Sequence, residues 1–212
     1  MNGFKILFVT ILLLLGNVSQ ASQQDQSWKF KVFLGDKEIG EHNFNLSSVQ
    51  NAVHVTTNAN FDVYILFINA YSYRHSNHEI WNGSCLKSIH SVTDDNGTEF
   101  RVSGKTVNDK LHVTTHDDMY VRSGCIKTFA YWDPSFLQSE MLLNSQTGEI
   151  VPVSVSYIGP EKIVVRDESI TARRYQLVTD EFTIDLWYSN DDQWLALNST
   201  TPDGNTLRYK IQ

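Results

Sequence analysis

Val53–Phe61 reads VHVTTNANF, and its side chains alternate: Val53, Val55, Thr57, Ala59 and Phe61 fall on one face, His54, Thr56, Asn58 and Asn60 on the other. Successive residues of a strand point to opposite sides, so one apolar and one wetted face describe a half-buried antiparallel strand. The same period of two, not 3.6, extends in both directions. Upstream, Trp28, Phe30, Val32 and Leu34 alternate with Lys29 and Lys31, and a Gly35–Glu38 turn leads into a weaker strand, Ile39–Ser48. Downstream, Tyr71, Tyr73, His75, Asn77, Glu79 and Trp81 share one face of another strand. Between them, Phe61–Ala70 is apolar on both faces and leaves a buried strand and a short helix equally open.

The remaining chain continues in this way. Cys85–Thr93 and Glu99–Lys105 flank Asn96-Gly97, a pair suited to a two-residue hairpin whose central positions need positive φ. Asn108–Asp109 turns into Leu111–Thr115, and His116–Met119 reads as loop. Val151–Tyr157 alternates, with Pro152 suggesting an edge or terminal position. Gly159-Pro160 reads as a turn into Ile163–Val165. A meander follows through Ser169–Thr179, Phe182–Ser189, Trp194–Thr200 and Thr206–Ile211. Ten or more strands at regular spacing imply a mainly β fold, a large antiparallel sheet that must curl into a half-barrel or open barrel.

One stretch does not alternate. Cys125–Glu149, CIKTFAYWDPSFLQSEMLLNSQTGE, carries Phe129, Tyr131 and Trp132, a Pro134 that breaks the run, and a Leu/Met-rich piece with the makings of a helical turn. It has the apolar mass to cover a concave sheet face. The expected contact is Trp132 against the Tyr71–Trp81 face. Cys85 and Cys125 are the only cysteines, and an even pair in an exported chain is expected to form a disulfide tying this segment to the sheet. Closing a loop of 40 residues is worth about 4 kcal/mol in the loop-entropy account.

Export is read from the first residues. MNGFKILFVTILLLLGNVSQA has one cation, Lys5, an apolar core from Ile6 to Leu15, and small residues at Ser19 and Ala21. This is the layout of a signal peptide, residues 1–21, cleaved after Ala21. The apolar run is shorter than the roughly 20 residues that span a bilayer. Residues 22–212 then read as a single β-rich domain in the periplasm, with no transmembrane segment. That portion holds 16 basic and 24 acidic side chains, a net charge of −8, which argues against nucleic acid as a partner.

No residue pattern specifies a reaction or a cofactor. His75 and His78 are three apart on a strand, so they point to opposite faces and do not share a metal. The pairs Asp94-Asp95, Asp117-Asp118 and Asp191-Asp192 sit beside turn residues, as Asp does for backbone reasons. The one constellation above background is the strip Tyr71, Tyr73, His75, Glu79 and Trp81 opposite Tyr131 and Trp132, a candidate ligand-binding surface.

The motifs AYSYRHSNHEIWNGSCL, TDDNG, FAYWDP, LLNSQTGE and LWYSNDDQWLAL occur in this order. Together they resemble a family of bacterial exported proteins known as a domain of unknown function, over Trp28–Gln212. More distantly the layout is similar to half-barrel carriers of the LolA/LolB type, in which a curved sheet wraps helical segments and shelters acyl chains. The resemblance implies a periplasmic location and lipid handling, and it carries over no catalytic residue. The expectation is a non-catalytic envelope carrier of an amphiphilic, lipid-like ligand. Two alternatives stand beside it: an envelope hydrolase or transferase using His75 and Glu79, and a structural partner protein of an envelope complex recruiting another chain along a sheet edge.

Overall fold

The computed structural model describes residues 25–200 and 204–212; the expected signal peptide, residues 1–21, lies outside the described residues. Fifteen strands follow one another: β1 (Gln26–Leu34), β2 (Lys37–Val49), β3 (Ala52–Ile65), β4 (Ile68–Asn82), β5 (Cys85–Asp95), β6 (Thr98–Val107), β7 (Lys110–Thr114), β8 (Met119–Ser123), β9 (Met141–Leu143), β10 (Ile150–Pro152), β11 (Ser154–Val165), β12 (Glu168–Val178), β13 (Thr183–Tyr188), β14 (Trp194–Thr200) and β15 (Thr206–Ile211). Thirteen form one antiparallel sheet in the order β11-β12-β13-β14-β15-β1-β2-β3-β4-β5-β6-β7-β8, and β9 pairs with β10. The large sheet is not closed; β8 and β11 are its edges. No described helix is long and apolar enough to cross a membrane.

Alternation converts into packing on the inner face. Phe30 of β1, Val55 of β3, Ile89 of β5, Val113 of β7, Leu177 of β12 and Leu186 of β13 are all buried in one core. Strands from both halves of the sheet can meet in one core only if the sheet curls. What they meet is the non-alternating segment, as expected: Ala130, Phe136, Leu142 and Leu143 are at most 2% exposed within the same core. Trp132 meets Trp81 edge to face, with ring centroids 5.4 Å apart. Cys85 and Cys125 are bonded, and beside them the Leu86 amide donates to the Ile126 carbonyl at 2.9 Å.

A second, smaller core lies across β1, β2 and β3, where Val32, Ile39, Ala59 and Phe61 pack together. Its geometry depends on Gly40, which faces Val32 at a bulge in the β1–β2 register. Gly40 takes φ +150°, and a Cβ there would lie 1.9 Å from the Asn60 carbonyl oxygen. Only glycine lets β2 come this close to β3.

Four local expectations are corrected. Phe61–Ala70 is neither one buried strand nor a helix: it ends β3, turns at Leu66-Phe67 and begins β4, and beyond the buried Phe61 and the half-buried Asp62 and Val63 it is an exposed hairpin tip from Tyr64 onward. Gly159-Pro160 is not a turn; β11 runs through it with a bulge, which an edge strand permits because proline has no ladder bond to lose there. The helical turn falls at Pro134–Gln138, ahead of the Leu/Met-rich piece. Pro134 begins this 3₁₀ helix, and the Asp133 carboxylate accepts from the Ser135 amide at 3.0 Å. Finally, Met119 opens a strand, β8, where loop was expected.

The Cys85–Cys125 bond closes a loop spanning β5 to the start of the covering segment. Changing both cysteines to serine should lower the unfolding free energy by about 4 kcal/mol in urea denaturation, and an unchanged midpoint would show that packing alone holds the segment.

Candidate functional site

The covering segment fills one end of the curled sheet and leaves the other open. Between them lies a cavity of about 770 Å³. Its inner wall comes from Thr128–Trp132 and Asn144–Gln146, and its outer reach is marked by Leu34, Ile39, Val63, Tyr71 and Leu207. This volume lies within the range of small-molecule sites.

β4 crosses the cavity as a polar strip because its odd-numbered residues face inward. Tyr71, Tyr73, His75, Asn77 and Glu79 all line it, together with Tyr131 and Trp132. Trp81 does not: it is fully buried and donates its indole N–H to Glu79 Oε2 at 2.8 Å, so it supports the floor. His78 lies on the outer face near Thr56 and His54, away from His75. No group of three or more potential metal ligands occurs among the described residues.

The strip is tied to the covering segment by hydrogen bonds. Tyr73 donates to Gln146 Oε1 at 3.0 Å, Gln146 Nε2 donates to Asp95 Oδ2 at 3.0 Å, and Tyr71 donates to Asp95 Oδ1 at 2.7 Å. The Asn144–Glu149 turn that carries Gln146 is fixed from both sides. The Asn144 side chain accepts from the Gln146 amide at 2.8 Å, while the Ser91 and Tyr120 hydroxyls donate to the carbonyls of Ser145 and Gly148. Gly148 at φ +78° leaves no room for a side chain, since a Cβ would fall 2.4 Å from Thr115 Cγ2.

At depth, the Glu79 carboxylate accepts from Asn77 Nδ2 at 2.9 Å, from Trp81 Nε1 at 2.8 Å and, more weakly, from the Thr128 hydroxyl at 3.4 Å. Burial raises its pKa and these donors oppose the rise. His75 is buried, its Nδ1 lies 2.7 Å from the Thr93 hydroxyl, and burial holds it down to about 4. His42 of β2 is held to about 3 by burial, with nearby His75 adding repulsion; what surface it keeps faces the cavity. Burial also raises the phenols of Tyr73, Tyr131 and Tyr209, so all three stay protonated and able to donate.

Two buried polar atoms of the lining have no protein partner, His42 Nε2 and Asn77 Oδ1. His42 Nδ1 lies 3.5 Å from the Tyr209 hydroxyl. With the phenol donating to Nδ1, Nε2 carries the proton and is a free donor, while Asn77 Oδ1 is a free acceptor. The described lining contains no lysine or arginine.

His42, Asp95, Gln146 and Tyr209 were not among the expected site residues. His42 was legible: it falls in phase with Phe44 and Leu46 on β2. Asp95 belongs to a pair whose sequence context points to turn chemistry, but the turn role falls to Asp94, which accepts from the Gly97 amide at 2.7 Å.

The sequence profile described as "Domain of unknown function (DUF6134)" matches residues 30–212. No curated protein matches the sequence. Among solved structures, the chain is similar to a β-barrel-like protein of domain of unknown function DUF1849 from Brucella abortus. The TM-score is 0.64 at 9% identity, over 88% of this chain and 94% of that one. At that identity the likeness concerns the fold alone.

Both histidine pKa values lie below the ordinary 6.5, so the unfolded chain binds protons that the folded chain refuses. Their contribution to stability is complete above about pH 6.5 and is lost as the pH falls to about 4 and below, roughly 3 kcal/mol for His75. Glu79, shifted upward, acts in the opposite sense. His75→Gln and His42→Gln should therefore each flatten the fall in unfolding free energy between about pH 7 and pH 4. A slope identical to that of the unaltered chain would show that the rings are not neutral at depth.

Proposed function

The chain belongs to the DUF6134 family, a domain of unknown function, and from that premise we propose that it is a periplasmic, non-catalytic carrier of an amphiphilic molecule held in the cavity. One observation carries this reading: an apolar cavity of about 770 Å³ between sheet and covering segment, with a few placed polar groups. Phe61, Phe129, Phe182 and Leu197 offer surface to an acyl or isoprenoid body. Tyr71, Tyr73, His75 and Glu79 offer polar contacts along one side. The signal-peptide layout of residues 1–21 and the resemblance of the sequence's layout to half-barrel carriers of the LolA/LolB type are what suggest the location and the lipid-like ligand.

The electrostatics narrow the ligand class. A carboxylate or phosphate in this cavity would face Glu79 and Asp95 with two neutral imidazoles and no described cation, so its desolvation would go uncompensated. An uncharged head group that both donates and accepts, such as a hydroxyl, suits a lining of phenols, neutral imidazoles and amides with no described cation.

A second reading rests on one feature. His75, neutral, and Glu79, disposed to hold a proton, are two residues apart on the cavity side of β4, the arrangement of an acid/base pair. Against it, Glu79 is held by three protein donors. Complementation of an envelope phenotype by Glu79→Gln would remove this second reading.

The carrier is tested by native mass spectrometry of the purified chain. A long-chain monoacylglycerol should bind with one-to-one stoichiometry, and the corresponding ionised fatty acid at least about tenfold more weakly. Thr57→Trp and Ser199→Trp, which fill the cavity, should abolish binding while the melting transition persists. Equal binding by the filled variants would overturn the carrier reading.

A further inference from the structure

The β3–β4 hairpin tip carries the largest run of exposed apolar side chains in the described structure. Ile65 is 64% exposed, Leu66 86%, Phe67 98% and Ile68 72%. From Val63 to Ile68 there is no charged residue. Turn chemistry does not account for this composition. Leu66 takes φ +56°, a left-handed conformation that costs a branched side chain but not glycine or asparagine. The corresponding first turn positions of the other described two-residue hairpins are glycine or polar: Gly35, Gln50, Gly83, Asn96, Asn108 and Arg166. Leu66 is the one apolar residue at positive φ among the described residues.

The tip is also re-aimed and projected. Val63 pairs with Tyr71 but Tyr64 with Asn69, so Ala70 is bulged and the inward phase of β4 ends at Tyr71. Val63 and Tyr71 mark the outer reach of the cavity. Leu66 is three residues further out, about 10 Å along an extended strand. Behind the tip stands a collar suited to a water–lipid boundary. Lys37 Nζ donates to the Tyr64 carbonyl at 2.6 Å and lies 5.9 Å from the centre of the Tyr64 ring, and Arg74 pairs with Asp62 at 2.7 Å.

We infer that the Tyr64–Ile68 tip inserts into the surface of a lipid bilayer, setting the mouth of the cavity against the membrane from which an amphiphile would enter. A protein partner or a second copy would have to offer a pocket shaped to receive this projecting point, whereas a fluid apolar phase needs none. A two-residue apolar point exposed all round, uncharged and backed by an aromatic–cation collar, fits a fluid apolar phase instead. The chain's formal net charge of −7 means that insertion, not attraction to anionic head groups, supplies the binding. The inference extends the carrier reading, but its test does not depend on what the cavity holds.

The test reads the tip itself, so that the apolar stretch Ile6–Leu15 does not confound it. A polarity-sensitive fluorophore is attached at Ile68→Cys, and in a control at Asp109→Cys on the β6–β7 turn. Each protein is titrated with phosphatidylcholine vesicles at low and high salt. At position 68 the emission should shift to the blue and be quenched by a lipid-borne quencher, equally at both salt concentrations, with no change at position 109. Adding Leu66→Asn and Phe67→Ser should raise the lipid concentration for half the shift by about tenfold to a hundredfold. The melting temperature should hold or rise, because asparagine suits the turn. No shift at position 68, an equal shift at position 109, or a shift abolished by salt would each overturn the inference. So would a dimer, seen by size exclusion without lipid, that only the tip substitutions dissociate. If the tip inserts but native mass spectrometry shows no amphiphile, the carrier reading fails and this one stands.

Discussion

Phe136, Leu142 and Leu143 sit at zero exposure against strands drawn from both halves of the sheet, and the rest of the architecture depends on that contact. A sheet of thirteen strands presents two faces to water, and alternation makes one of them apolar. Curling alone would bring β7 toward β12 but leave a gap between them. The segment from Ile126 to Leu143 fills it and supplies the backbone partners that a loop in such a place needs: Leu86 donates to Ile126, Leu143 to Lys127, and the Tyr188 hydroxyl to Tyr131 at 2.7 Å. The filling is confined to one end. Where it stops, the same curvature encloses space, and the cavity is the part of the interior that the segment does not reach.

That partial filling also explains the electrostatic character of the site. Polar side chains on the inner face of β4 sit in an apolar surround, so each either finds a protein partner or keeps an unspent hydrogen-bonding atom. Glu79 is satisfied by Asn77, Trp81 and Thr128, and Asp95 by Tyr71 and Gln146. His42 and Asn77 each keep one atom free. The wall therefore combines a fixed polar framework with two buried polar atoms that lack a protein partner, and its titratable imidazoles are neutral.

Much of this was legible in the sequence, because period-two alternation reports directly on which face is wet. The strip from Tyr71 to Glu79, the role of Cys125–Glu149 as a cover, and the Trp81–Trp132 contact all follow from the phase of side chains and from one stretch without phase. What escaped did so for physical reasons. A run that is apolar on both faces, Phe61–Ala70, looks the same whether it is buried or projecting, and only the bulge at Ala70 shows which. Asp95 and Gln146 converge from segments 51 residues apart, and nothing local marks either as facing inward. Trp81 is in phase with the strip yet buried, because the covering segment packs over it and sets Trp132 edge to face against its ring.

The pairing of β1 with β15 sets Phe30 beside Ile211 in the middle of the sheet, not at its edge. Every other neighbour in the sheet order is also a neighbour in the chain. Two runs of consecutive hairpins, β1 to β8 and β11 to β15, can each zip up locally, but the seam between them is the most distant pairing in the molecule. A chain synthesised from its N-terminus presents β1 with an open flank until the last strand arrives. During that interval a long apolar edge stands unpaired, and the final residues act as the clasp that joins two half-sheets into one wall.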